Sequence, residues 1–330
     1  MRATSALASS VKASAPDFQA QFFEDVVTGL RRPHKSISST WLYDEYGSEL
    51  FEKITQLPEY YLTRVETAIL ARCVPVLRNA VGSNATLVEI GSGSSRKTPL
   101  VLGALDRPRN YVPIDVSAEF LDASVDRLQH DFPGVRFFPM VADFTRAMSL
   151  PRAVRYSVNS RKRLGFFPGS TIGNLTPYEA ITCLKRLRQL LGSDSLLVVG
   201  TDTTRNPTRL IPAYDDVQGV TAEFNLNLLN RINRELAGTF DLRLFRHEAR
   251  FDPCHGRVEM HLVSTKNQWA EVSGRPFRLQ AGESIHTENS YKYSVNDFRV
   301  LARSAGWANL NTWTDSESLF AVHLFAPINS

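Results

Sequence analysis

Hydrophobic residues along this chain fall into two textures. From residue 86 to residue 202, short, nearly continuous apolar runs alternate with stretches whose apolar residues recur at helical spacing. The runs are TLVEI (86–90), NYVPIDV (110–116), VRFFPMVADF (135–144), RLGFFPGSTIG (163–173) and SLLVVGTD (195–202). Continuous runs of this length mark parallel strands covered on both faces. Between them, Ser117 stands where it caps a helix whose Leu121, Val125 and Leu128 share one face. Thr176-Pro177-Tyr178-Glu179 is a capping box with proline at the first helical position, followed by the stripe Ile181, Leu184, Leu187 and Leu191 and a stop at Gly192. Strand and helix in alternation predict a right-handed βαβ series, an α/β fold with a doubly wound sheet.

Outside that series the texture changes. Residues 16–85 read as mostly helical, with a loop at LPEYYLTR (57–64). Residues 204–290 carry a helix near 221–237 and then β-like segments at 242–251 and 257–264. Ser294 and Asp297 open another capped helix ending at Gly306, and SLFAVHLFAP (318–327) reads as a late strand. The expected organisation is a nucleotide-binding lobe of 61–203 completed by 291–330. A second, smaller α+β lobe would combine 16–60 with 204–290.

Composition removes several function classes. The 330 residues are 43% hydrophobic and 22% charged, enough for two lobes around a cleft. The 38 basic and 34 acidic side chains leave a formal charge of +4 with no block of like charges, so no nucleic-acid partner is expected. Cys73, Cys183 and Cys254 share no CxxC spacing, which argues for buried apolar packing over disulfides or zinc, and no metal is expected. No apolar run approaches the roughly 18 residues that cross a bilayer, and residues 1–15 lack the apolar stretch of a secretory signal. A flexible tail and a cytoplasmic monomer are the expectations.

The candidate chemistry lies at the ends of the first three runs. Glu89-Ile90-Gly91-Ser92-Gly93 follows the first, and glycines there turn the chain and aim backbone N–H groups at a ligand. A dinucleotide fingerprint would place a third glycine where Arg96 stands. Asp115 ends the second run, where a carboxylate holds ribose hydroxyls. Asp143-Phe144 ends the third, where an acid and a ring suit adenine. Either acid alone is also explained as the cap of the next turn. Loop, acid and acid at successive strand ends describe an adenosine site without a second nucleotide, and so S-adenosylmethionine over NAD.

EIGSGSSRKT (89–98), PIDVSAEFL (113–121), FFPGSTIGNLTP (166–177), AYDDVQGVTAEFNLNLLNRINREL (213–236) and TENSYKY (287–293) together resemble the histidine-specific methyltransferase family, over residues 17 to 327. That family forms hercynine, trimethylated histidine, for ergothioneine biosynthesis. The resemblance implies a Rossmann-like class I methyltransferase sheet with a second substrate domain, in the stand-alone form without the sulfoxide-synthase partner of some fungal relatives. It implies Gly91, Lys97, Asp115, Asp143 and Phe144 as S-adenosylmethionine contacts. It implies Asn174 and Tyr214 as the catalytic pair holding the α-amino and carboxylate groups, and Glu288 and Ser290, flanking Asn289, as readers of the imidazole edge. Tyr60 is its histidine-site tyrosine, with Tyr61 an alternative, and Tyr43, Phe51, Thr221 and Met260 are walls.

Asn174 also has a plainer reading as the holder of the turn GNLTP, and without the resemblance Glu288 and Ser290 equally suit a surface strand. The runners-up in function are a related methyltransferase acting on the amine of another amino acid or an indole derivative, and a non-catalytic S-adenosylmethionine-binding module. A nicotinamide dehydrogenase is disfavoured by Arg96.

Overall fold

A computed structural model describes residues 18–156 and 162–328. Residues 1–15, read above as a tail, lie outside the described residues. In chain order the helices and strands are α1 (Phe18–Leu30), α2 (Glu45–Ile54), α3 (Leu62–Val81), β1 (Thr86–Ile90), α4 (Thr98–Ala104), β2 (Asn110–Asp115), α5 (Ala118–Asp131), β3 (Arg136–Phe137), β4 (Met140–Val141), α6 (Arg152–Arg155), β5 (Arg163–Phe167), α7 (Pro177–Leu191) and β6 (Ser195–Asp202). They continue as α8 (Pro207–Tyr214), α9 (Val220–Glu235), β7 (Phe245–Asp252), β8 (Arg257–Ser264), β9 (Gln268–Val272), β10 (Arg275–Leu279), β11 (Ser284–Tyr291), α10 (Val295–Ser304), β12 (Trp307–Thr314) and β13 (Phe320–Pro327).

The main sheet runs β12-β13-β6-β5-β1-β2-β3, with β4 also paired to β2. Strands β2, β1, β5 and β6 are mutually parallel, and β13 joins β6 antiparallel. Both faces are covered, as the continuous apolar runs require. Leu87 and Tyr111 turn into one hydrophobic cluster while Val88 and Val112, their chain neighbours, turn into the other. Strands β11, β8 and β7 form a separate antiparallel sheet, and β9 and β10 a hairpin. The first cluster is continuous from Phe166 and Phe320 in the main sheet to Phe224 on α9 and Val258 on β8. No helix among the described residues is long and apolar enough to cross a membrane.

Several expectations need correction. The run 135–144 is two short strands, because Pro139 between β3 and β4 has no N–H to give a ladder. The run 163–173 stops at Phe167. Pro168 and Gly169 turn the chain out of the sheet into a 3-10 turn, Thr171–Asn174. Ser117 precedes α5, but its hydroxyl makes no capping bond. The helix predicted to reach Gly306 ends at Ser304. Cys73 and Cys183 are buried, whereas Cys254 is exposed. The capping box before α7 is present as read, with Thr176 accepting from the Glu179 N–H and Glu179 answering at the Thr176 N–H.

Candidate active site

The carboxyl ends of β1, β2 and β4 open on a cleft of about 1240 Å³, lined among others by Gly91, Gly93, Asp115, Asp143, Phe144 and Asn174. The Gly91 backbone has φ +64°, a conformation that disfavours any side chain. The Gly93 N–H donates to Asp115 Oδ2 at 2.8 Å, and the Ser117 N–H to Oδ1 at 3.1 Å. Asp115 therefore ties the loop after β1 to the end of β2. Burial raises its pKa, and these N–H donors oppose the rise.

Asp143 accepts from the Thr145 N–H at 2.8 Å and from the Thr145 hydroxyl at 2.6 Å, so it holds its own turn as well as facing the cleft. Phe144 packs edge-on against Phe167, 5.3 Å between centroids. A turned glycine loop, two acceptors and an aromatic wall fit the ribose and base of S-adenosylmethionine. Lys97 stands just before α4, with its ammonium close to Gly169 of the loop after β5. Its ammonium pairs with Glu66, a fully buried carboxylate on α3 that also accepts from the Gly169 N–H at 2.9 Å, and it lines neither the cleft nor the pocket below. The pair ties Lys97 to the loop leading to Asn174, beside Gly169, which lines the inner pocket.

A smaller inner pocket adjoins the cleft, and nine side chains named from sequence line it: Tyr43, Phe51, Tyr60, Asn174, Tyr214, Thr221, Met260, Glu288 and Ser290. Two local features bring them together. The pairing of β11 with β8 slips between His286 and Glu288, leaving Thr287 as an extra residue. Such a bulge reverses which residues face inward. Ile285 and Thr287 are buried before it, and Glu288 and Ser290 after it. Asn289 consequently faces outward, where its Oδ1 accepts from His286 at 3.0 Å and lines the outer cleft instead of the pocket. The second feature is Gly173, where a Cβ would meet the Tyr291 carbonyl oxygen at 2.8 Å. Glycine lets the 3-10 turn press on β11 and brings Asn174 Nδ2 to 3.3 Å from Glu288 Oε2.

Tyr60 lines the pocket, its ring 6.4 Å from that of Tyr214, while Tyr61 points away and donates to Asp202 at 2.7 Å. Burial pushes Glu288 up to about 7, against the pull of Lys292 and a hydrogen bond from Tyr43. Burial also holds the Tyr43, Tyr60 and Tyr214 phenols well above their ordinary range.

Behind the pocket lies a polar network that the sequence did not single out. Lys292, with a fully buried side chain, donates to Asp202 at 2.7 Å, Tyr214 Oη at 2.8 Å and Ser290 Oγ at 2.9 Å. The bulge residue Thr287 donates to Asn225 at 2.6 Å. Asn225 donates in turn to His247 Nδ1 at 2.9 Å, and His247 Nε2 donates to the Tyr214 carbonyl at 2.8 Å. Burial lowers the His247 pKa, in keeping with a neutral ring that accepts at one nitrogen and donates at the other. The one available signal was a lysine inside TENSYKY, between Tyr291 and Tyr293.

The sequence profile of a family described as histidine-specific, S-adenosylmethionine-dependent methyltransferase matches residues 22–327. The chain is 39% identical over 308 residues to a histidine N-alpha-methyltransferase of Mycobacterium tuberculosis, covering 92% of this chain and 94% of that protein. It is 30% identical to ergothioneine biosynthesis protein 1 of Neurospora crassa, covering 91% of this chain and 34% of that longer protein. Among solved structures, an S-adenosylmethionine-dependent methyltransferase from Clostridium acetobutylicum aligns with a TM-score of 0.50 at 10% identity, over 85% of this chain and 99% of that one, a likeness of fold. Fold, cofactor and enzyme class agree, and the chain belongs to the histidine-specific, S-adenosylmethionine-dependent methyltransferase family.

Proposed function

We propose that the protein methylates the α-amino nitrogen of L-histidine three times, giving hercynine for ergothioneine biosynthesis. The observation that carries this reading is the inner pocket. It gathers Asn174 for the zwitterionic end, with the Tyr214 ring beside it, and an imidazole-reading pair, Glu288 and Ser290, where the pocket meets the cofactor cleft. The names of the mycobacterial and fungal relatives support it. Residues 61–203 with 291–330 form the cofactor lobe in this reading, and 16–60 with 204–290 the substrate lobe. A small free amino acid as the partner suits a cytoplasmic monomer.

S-adenosylmethionine supplies an activated methyl group on a sulfonium. The work left to the protein is alignment. Asn174 offers an amide donor and acceptor to the amino-acid end. Tyr43, Phe51 and Tyr60 wall the pocket with rings, which suit an amine that becomes a quaternary ammonium. The amine must lie unprotonated with its lone pair toward the cleft. Glu288 accepts one ring N–H, and a site built around such a bond rejects an analogue that lacks the N–H by roughly 10⁴-fold.

Mass spectrometry of purified protein with histidine and S-adenosylmethionine tests the reading. One, two and then three added methyls are expected, with the mono- and dimethyl compounds themselves accepted as substrates. Activity on tryptophan or another amine with none on histidine would overturn it.

A further inference from the structure

We propose that Lys292 is a positioning residue that fixes the direction of a hydroxyl relay, Lys292 to Tyr214 to Ser290, so that Ser290 presents a hydrogen-bond donor to the inner pocket and the pocket selects neutral imidazole over imidazolium. The inference rests on the histidine reading above and adds to it the protonation state and polarity of the ring.

The relay follows from counting donors and acceptors. An ammonium has three N–H donors and no acceptor. Those of Lys292 go to Asp202, Tyr214 and Ser290, so none is left for a ligand and both hydroxyl oxygens must accept. Tyr214 Oη and Ser290 Oγ lie 2.7 Å apart and share one hydrogen. A phenol oxygen accepts one strong bond and donates one, whereas a serine oxygen has two lone pairs. With its acceptor site taken by Lys292, Tyr214 donates to Ser290. Ser290 then accepts twice, from Lys292 and Tyr214, and its own hydrogen turns to the pocket it lines. Glu288, two residues away on the same face, accepts when ionised. One acceptor beside one donor matches a ring with an N–H and a bare nitrogen. Imidazolium, with two N–H groups, would set its second donor against the Ser290 hydrogen.

The titratable and charged groups around Ser290 are Glu288 and Lys292 on its own segment, Asp202 from β6, Tyr214 from α8, and Tyr43 and Tyr60 from the N-terminal part. The tyrosines are held protonated by burial, and acid only reinforces the Lys292 ammonium. Glu288 titrates near neutrality, so the test compares two ligands that meet it in the same way.

The experiment measures binding of histidine and of 1,2,4-triazole-3-alanine to protein saturated with S-adenosylhomocysteine, by calorimetry between pH 5 and 7.5. The triazole keeps the N–H and bare-nitrogen pattern but is far less basic, so it stays neutral throughout. Effects of Glu288 and the ligand ammonium cancel in the ratio Kd(histidine)/Kd(triazole). That ratio is expected to rise about tenfold for each pH unit below the imidazole pKa of about 6.5. It is expected to flatten in Lys292→Met combined with Asp202→Asn, which leaves no unpaired buried carboxylate, because Ser290 is then free to turn and accept. Should that variant fail to fold, Tyr214→Phe removes the middle of the relay and is expected to flatten the ratio as well. A ratio independent of pH in the unmodified protein overturns the proposal, and so does a slope unchanged in the folded variants. Binding of the triazole compound without histidine at pH 7.5, or of neither, would instead remove the histidine reading and this inference with it.

Discussion

Asn174 donates its side-chain amide to Glu288 across 3.3 Å, joining the turn after β5 to the bulged strand β11. The two residues assigned to opposite ends of the amino acid thus touch. An ionised carboxylate only accepts, so it holds the NH2 side of the Asn174 amide toward itself and turns Oδ1 away. That oxygen is then placed to accept from an amine N–H. In the proposed reading, the carboxylate that meets the ring also orients the amide that meets the backbone end.

The raised Glu288 pKa makes ligand binding release a proton. Near pH 7 the buried carboxyl is about half protonated, since burial lifts it to about 7. A ring N–H donated to it favours the ionised form and lowers the pKa on binding. Calorimetry of histidine binding at pH 7 in buffers of different ionisation enthalpy should therefore report about half a proton more released by the unmodified protein than by Glu288→Gln. The difference should vanish by pH 9, where Glu288 is already ionised. Equal proton release at pH 7 would mean that the ligand does not donate to this carboxyl.

The pairing of Lys97 with Glu66 makes a stability prediction distinct from cofactor contact. Glu66 has no exposed side-chain surface, and Lys97 has 15%. Removing one partner of a buried pair strands the other charge and costs about 3–5 kcal/mol. Lys97→Met should lower the unfolding midpoint of cofactor-free protein, and adding Glu66→Gln should restore much of the loss. A residue acting only as a cofactor ligand would leave the cofactor-free midpoint unchanged.

Asp115→Ala should weaken S-adenosylmethionine binding on the order of ten- to hundredfold, the effect of losing a charge-assisted acceptor. The same carboxylate accepts the Gly93 N–H, so part of the loss reflects a loosened loop. Asp115→Asn keeps an acceptor for that N–H and should lose less. Histidine affinity at saturating cofactor should change little. An equal loss for both ligands in calorimetry would assign Asp115 a structural role alone.

What could be read from the chain was whatever sits next to its cause in sequence. Continuous apolar runs gave β1, β2, β5 and β6, and Thr176 with Glu179 gave the start of α7, because burial on both faces and a local cap each write themselves into adjacent residues. Strand β12 escaped because NLNTWT, at the edge of the sheet, is only partly buried and carries no apolar run. In the site, the acids at strand ends were legible, and the resemblance supplied the pocket walls. The Thr287 bulge was not, so Asn289 was grouped with its neighbours although it faces the other way. Lys292, Asp202 and Tyr61 come from three distant segments, and a lone lysine in sequence reads as a solvated one. Only tertiary packing gives that ammonium its three acceptors.

The sharpest test of the pocket sets Asn174→Ala against Glu288→Ala across a panel of histidine, tryptophan and phenylalanine. In the proposed reading Asn174 meets the end that all amino acids share, so its loss should lower kcat/KM for every substrate. Glu288 meets the side chain in that reading. Its removal deletes the acceptor for the ring N–H and frees space beside Tyr43, costing histidine about 1.5–3 kcal/mol of binding. Tryptophan and phenylalanine should suffer less or gain, because neither depends on that acceptor and both fill the freed volume. The bond between the two side chains adds a further expectation. Without Glu288 the Asn174 amide is no longer held in one orientation, so Glu288→Ala should also take a smaller toll, common to all three substrates, on kcat. Glu288→Gln, which can still meet the amide, should spare that common part and keep the loss specific to histidine. If Glu288→Ala left histidine's kcat/KM and its lead over the aromatic amino acids intact, β11 would not be the strand that reads the imidazole. The function would then reduce to methylation of an amino acid whose side chain is recognised elsewhere.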